Sequence, residues 1–417
     1  MKVALRAALF AVLALGHGRA AHPQALPSEP LSFADGHVTV GGDVSATFGC
    51  QLSTESSTER CGKDTGFFNY TDYENSALRL FHADLTTSIG MGGHFAVLGE
   101  MSTDNGDGVH AYALYLRIRP WIDRPFDIQA GRVPPTFGAF GRHVYSTDNL
   151  LIGYPLAYQY LTSLRADALP VNANELLSMR GRGWLSQFSL GNRDPAAGLP
   201  LVTAFRWDTG VQVHAAAGPM VDATAAVTAG TLSNPLFADD NSGRQIAGRL
   251  SVHPLAGLLI GASAARGPFV SNTAARGAVG DGHDGAFTQT AFGGDIEYSH
   301  AYYLVRAETV LSEWKVPAVG TPVIDTPLRA LATYVEGRYK VHPGLYIAAR
   351  LDHLGFNEVT GSLGPQTWDA PVSRIEVGGG YSIQRNLLLK VSWQHNTRDG
   401  GRVTRETLGA AQLLFWF

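Results

Sequence analysis

The chain has 417 residues, 48 of them Gly, with 45% hydrophobic and 16% charged residues and a mean hydropathy of −0.01. An α-helical membrane span needs about 20 consecutive apolar residues; no such run follows the N-terminus, and the apolar content excludes a disordered chain. The formal charge of −4 argues against nucleic acid as a partner, which leaves a large soluble β protein or a membrane barrel.

Residues 1–20 read as a secretory signal peptide. Lys2 and Arg6 form the charged start, Ala7–Gly16 is an apolar stretch too short to span a bilayer, and Gly18-Arg19-Ala20 places cleavage after Ala20. Residues 21–36 then form a short periplasmic segment, and 37–417 the membrane barrel. Cys50 and Cys61 share one polar segment of an exported chain, which favours a disulfide closing that loop.

From His37 on, the signal is alternation. Val38, Val40, Val44, Ala46 and Phe48 fall on one parity, and Thr39, Asp43, Ser45 and Thr47 on the other. A strand dry on one face and wet on the other is the element of a barrel wall. The pattern recurs near 77–88, 94–101, 109–119, 126–132, 208–217, 221–230, 244–252, 257–265, 287–298, 301–311, 328–340, 345–354, 373–383, 386–396 and 407–417. With the first strand these make sixteen, an even number as a closed single-chain barrel requires. The expected fold class is therefore an all-β transmembrane antiparallel barrel.

The connections sort by length. Short turns such as Gly218–Met220 and Gln384–Arg385 alternate with longer segments, as in barrels whose two rims differ. Charges keep to one parity: Glu336, Arg338 and Lys340 alternate with Leu331, Val335 and Tyr339. Aromatic residues gather near strand ends (Trp121, Tyr298, Tyr302, Tyr303, Tyr339, Tyr381), as an interfacial girdle or as ordinary strand formers.

The longest connection, residues 133–207, is expected to be the third external loop, folded into the lumen as a constriction. It carries Arg142, Arg165, Arg180 and Arg182; with Arg117 and Arg119 on the wall, these are the candidate constriction residues. Rings of Arg favour anions; the other reading pairs them structurally with Asp148, Asp167, Glu175 and Asp194. Helical periodicity over Asn172–Arg180 predicts a short helix.

The run Gln129-Ala130-Gly131-Arg132-Val133-Pro134-Pro135-Thr136-Phe137-Gly138, followed by Trp207-Asp208-Thr209-Gly210-Val211-Gln212, resembles the phosphate-selective porin family. Gly248-Arg249-Leu250 with His253-Pro254, and Leu259-Ile260-Gly261, extend the likeness over about residues 126–265. The resemblance implies sixteen strands, a homotrimer and passage of anions.

No catalytic residue, metal or cofactor is expected. Ser392 stands on the lumen parity and His395 on the lipid parity, so they cannot readily pair as a hydrolase needs, and the chain reads as no enzyme. The expectation is an outer-membrane porin for small hydrophilic solutes, weakly anion-selective. The alternative is a non-conducting barrel with adhesive or structural loops. Its partners would be outer-membrane lipid, the solutes, and the barrel-assembly machinery, which the terminal Phe417 would address.

Overall fold

The computed structural model describes residues 29–54, 60–61, 81–104, 108–203, 207–401 and 403–417. The signal-peptide reading lies outside these residues, and so do the side chains of Cys50, Cys61 and Arg142. In the ladder Cys50 stands opposite Cys61, the backbone placement that a disulfide between them would need.

The alternating segments form sixteen long antiparallel strands: β1 (Val38–Thr54), β2 (Phe81–Met91), β3 (Phe95–Asp104), β4 (His110–Ile118), β5 (Phe126–Val133), β6 (Asp208–Ala217), β7 (Val221–Thr228), β8 (Gln245–Leu255), β9 (Leu258–Pro268), β10 (Thr288–His300), β11 (Tyr303–Trp314), β12 (Leu328–His342), β13 (Leu345–Phe356), β14 (Val372–Gln384), β15 (Leu387–Arg398) and β16 (Arg405–Trp416). Each pairs with its neighbours in sequence, and β1 pairs with both β2 and β16, so the sheet closes on itself. Closure removes the unpaired edges of an open sheet. The seam extends past β16: Phe417 and Gly42 exchange backbone hydrogen bonds of 3.0 and 3.1 Å.

Several strands run past the ends read from the sequence, β3, β8, β9 and β11 by three residues each to Asp104, Leu255, Pro268 and Trp314. β1 continues beyond Phe48 to Thr54, because Gly49–Gln51 still pair with Leu408–Ala410. β2 continues to Met91, because Gly90 and Met91 still pair with Ala96 and Phe95. The turn is thus Gly92–His94, with Gly92 at φ +70°, a left-handed conformation that glycine adopts without steric cost.

One rim carries only short turns, from two residues at 256–257 to the seven of 119–125; the other carries 134–207, 229–244, 269–287, 315–327 and 357–371. Exposed Trp121, Tyr298, Tyr302, Tyr303, Tyr339 and Tyr381 lie toward the short-turn rim, with the rings of Tyr303 and Tyr339 4.8 Å apart. The wall is two-faced as the alternation requires. Leu331, Val335, Ile347, Leu351, Ile375 and Val391 point outward, and Glu336, Arg350, Asp352, Arg374, Glu376 and Lys390 point inward and are buried.

A charge on the outward parity should be costly and one on the wet inward parity should not. Leu351→Arg is expected to lower unfolding stability in lipid vesicles by about 2–4 kcal/mol, whereas Thr86→Arg, inward and exposed, should change it by a small fraction of that in the same urea titration.

Candidate functional site

Val133 of β5 and Asp208 of β6 are cross-strand partners, so the connection 134–207 leaves and returns at one point of the wall. Between them it is bonded to inward-pointing side chains around much of the ring. Thr136 donates to Gln212 of β6 (2.8 Å), and Gly138 N–H to Ser263 of β9 (3.1 Å). Ala139 N–H and Tyr158 O–H both donate to Oε1 of Glu308 on β11, each at 2.8 Å. Tyr145 donates to Glu100 of β3 (2.8 Å), and Tyr346 of β13 donates to the Leu150 carbonyl (3.0 Å).

The Pro-Pro-Thr-Phe-Gly run directs this entry. Gly138 has φ +77°, and a Cβ there would lie 2.3 Å from the Tyr158 hydroxyl and 2.7 Å from Glu308, so only glycine fits. Phe137 is buried against Gly293 of β10, where a Cβ would meet its ring at 2.9 Å.

Three basic wall residues hold the connection through its backbone carbonyls. Arg350 donates to Gly153 O (2.5 Å) and Glu376 (2.8 Å), while Glu376 accepts from Gly153 N–H (2.8 Å). Arg374 donates to Tyr154 O (2.7 Å), Gln159 (2.9 Å) and Asn396 (2.7 Å). Lys390 donates to the carbonyls of Ser146 and Asn149. A buried cation keeps its charge only where such acceptors replace water. Above this polar layer Phe137, Phe140, Tyr154, Tyr158, Trp314 and Trp368 share one apolar cluster built from both the connection and the wall.

The predicted helix is present as Ala173–Ser178. Asn172 caps it by accepting from Glu175 N–H at 3.0 Å, and Glu175 reaches back to Val171 N–H.

The structure does not gather the six candidate arginines into one ring. Arg165 is buried and clamps Asp167 through two bonds of 2.8 and 2.9 Å, and it also donates to the carbonyls of Ser186 and Asp194. Arg180 donates to Thr367 and to Asp399 (3.1 Å), and Arg182 is exposed. Arg117 points inward from β4 opposite Gln129, and Arg119 is exposed at the short-turn rim. The backbone of Arg142 lies in a short 3-10 turn, Phe140–Arg142.

The sequence places Arg338 on the lumen parity but not among the constriction candidates; its guanidinium approaches the Tyr346 ring at 5.9 Å, and its Nε is buried without a hydrogen-bond partner among the described residues. Arg338 lines a polar cavity of about 220 Å³ together with Asp148, Glu297, Arg306 and Tyr346. Arg306 there is held by Glu297 at 2.7 Å, whereas Arg338 has no acidic partner among the described residues. Among the described residues one group could hold a metal ion: Asp43, His82 and Asp84.

No family model matches the chain, and no curated protein matches it in sequence. In fold it is similar to OmpT, an outer membrane protein of Vibrio cholerae, at 14% identity over 93% of this chain and 100% of that one, with a TM-score of 0.54. It is similar to an anion-selective porin from Comamonas acidovorans at 10% identity, covering 91% and 99% of the two chains, with a TM-score of 0.56. It is also similar to the outer membrane channel DcaP of Acinetobacter baumannii at 9% identity, covering 93% and 99%, with a TM-score of 0.51. At such identities the likeness establishes the fold, a sixteen-stranded porin-type barrel.

The exclusion of an enzyme needs correction. OmpT, described as an outer membrane protein and not as a channel, is among the similar structures, and a shared fold leaves catalysis open. A serine–histidine contact does exist on the outward face, with His353 Nδ1 2.9 Å from Ser373 Oγ, where β13 and β14 bring the two opposite each other.

Arg350→Ala would leave Glu376 and Asp352 buried without their cation, and a loss of about 3–5 kcal/mol is expected, with faster proteolytic cleavage within 134–207. Partial burial opposes ionisation of Asp167, but hydrogen bonds from Arg165 and Asn192 outweigh it and hold its pKa below the ordinary range. Its contribution to stability is therefore complete above about pH 4 and is lost as pH falls through the lowered value. Asp167→Asn should remove that acid step from a proteolysis-versus-pH profile.

Proposed function

We propose that the chain is an outer-membrane channel through which small hydrophilic solutes diffuse passively, with a preference for anions. The observation that carries this reading is the accessibility of inward polar side chains toward the short-turn rim. Thr86 is exposed, and Ser88, Arg117, Asp127, Gln129 and His214 are partly exposed, on a parity that faces away from lipid. Water reaching these groups inside a closed barrel supports a wet path. The connection 134–207 would narrow that path at the opposite end.

The anion preference is assigned to Arg338, which forms no salt bridge among the described residues, with Arg117, Arg119 and Lys340 toward the same rim. Its planar fork suits oxyanions. Kinship with phosphate-selective porins belongs to this reading and rests on the Gln129–Gly138 and Trp207–Gln212 runs. With 5 Lys against 27 Arg in the chain, phosphate would meet guanidinium groups and not a lysine ladder. The homotrimer that kinship implies is tested by cross-linking of the purified barrel, where a trimeric band is expected.

A second reading, a non-conducting barrel, draws support from the shared apolar cluster of connection and wall. Planar-bilayer recording separates the two: discrete conductance steps are expected, and their absence from a folded barrel would favour the second. In a KCl gradient the reversal potential should indicate anion preference, and Arg338→Glu should move it toward cations without abolishing conductance.

A further inference from the structure

We propose that Asp43, His82 and Asp84 form a divalent transition-metal site on the inward wall of β1 and β2, of the class that binds Zn²⁺. Asp43 and Asp84 are direct cross-strand partners. His82 lies two residues from Asp84 on the same face, with Nε2 2.6 Å from Asp84 Oδ2. One ligand atom from each of the three residues lies within 4.8 Å of the other two, and all three side chains are buried.

A separate observation points to the same place. Ser102 of β3 is the cross-strand partner of Asp84 on its other side, and so shares the inward face. It is 2% exposed, and its hydroxyl has no hydrogen-bond partner among the described residues. A buried hydroxyl left unbonded beside two facing carboxylates needs a physical reason, and a cation with its bound water supplies one.

The local charge pattern agrees. Several acids elsewhere on the inward face meet arginines: Asp295 is bonded by Arg249 at 2.5 and 2.8 Å, Glu297 by Arg306, and Glu376 by Arg350. Asp43 and Asp84 face each other directly across the ladder, with Glu100 nearby on β3. Like charges directly opposite across a ladder repel, and a divalent ion between them reverses the sign of that term. An imidazole with two carboxylates suits Zn²⁺ and its neighbours, whereas Ca²⁺ and Mg²⁺ favour all-oxygen sets. Zinc ligands at about 2.0–2.1 Å stand roughly 3.4 Å apart, which side-chain rotation on two paired strands can reach. The site lies two residue pairs from Glu100, which is on the same face and holds Tyr145 of the 134–207 connection. A bound ion would therefore stiffen the wall where that connection is anchored.

The full-length barrel, refolded in detergent and freed of metal with EDTA, is titrated with Zn²⁺ by calorimetry, and metal content is measured after dialysis. One zinc per chain is expected. Asp84→Asn and His82→Ala should each weaken binding at least tenfold, and His214→Ala, at another inward histidine–acid group, should bind as the parent does. Zinc should also raise the thermal unfolding temperature of the unmodified barrel, a readout that stands even where a variant fails to fold. Absence of both binding and thermal shift in the parent would overturn the proposal, and so would undiminished binding by folded Asp84→Asn or loss confined to His214→Ala. None of these measurements depends on whether the barrel conducts.

Discussion

The structure turns on one constraint: a closed barrel forces half of every strand's side chains into its interior, and the polar groups among them must find partners there. On β11 to β15 the wall presents Glu308, Glu336, Arg350, Asp352, Arg374, Glu376 and Lys390, all nearly inaccessible. Water does not reach them, so the chain itself must. The connection between β5 and β6 meets that demand with backbone groups, offering the carbonyls of Asn149, Gly153 and Tyr154 to cations and the N–H groups of Ala139 and Gly153 to carboxylates. Buried charge of this kind adds little net stability by itself, but it penalises any other placement of the connection. The network thus works mainly as a positioning device.

The outward face answers the opposite demand. In hydrocarbon every backbone group must be bonded within the sheet, and closure of β1 on β16 leaves no edge to violate this. The two faces are coupled through register, because a one-residue slip exchanges them along a whole strand. A slip of β13 against β12 would turn Leu351 inward and Arg350 toward lipid. The buried Arg350–Glu376 contact and the lipid-facing leucine therefore enforce the same register from opposite sides.

The two halves of the interior differ as a consequence. Where the connection packs, aromatic residues from wall and connection share one apolar cluster. Toward the short-turn rim, polar inward residues remain accessible. Arg338 beside its cavity belongs to this second half, whereas Asp43, His82 and Asp84 are buried beside Glu100, which anchors the connection.

The amino-acid sequence by itself determined the strand pattern, the sorting of connections by length, the two-faced wall and the short helix capped at Asn172. Each follows from local periodicity or local capping, which act over a few residues. Only the tertiary structure decided which charges meet. Arg165 could be seen near Asp167 in the chain, but not that the two are clamped together, nor that Arg338 forms no salt bridge among the described residues. Asp43 and Asp84, or His353 and Ser373, become neighbours only through the register of closed strands. Alternation states which way a side chain points, and the register of the closed sheet states what it finds there.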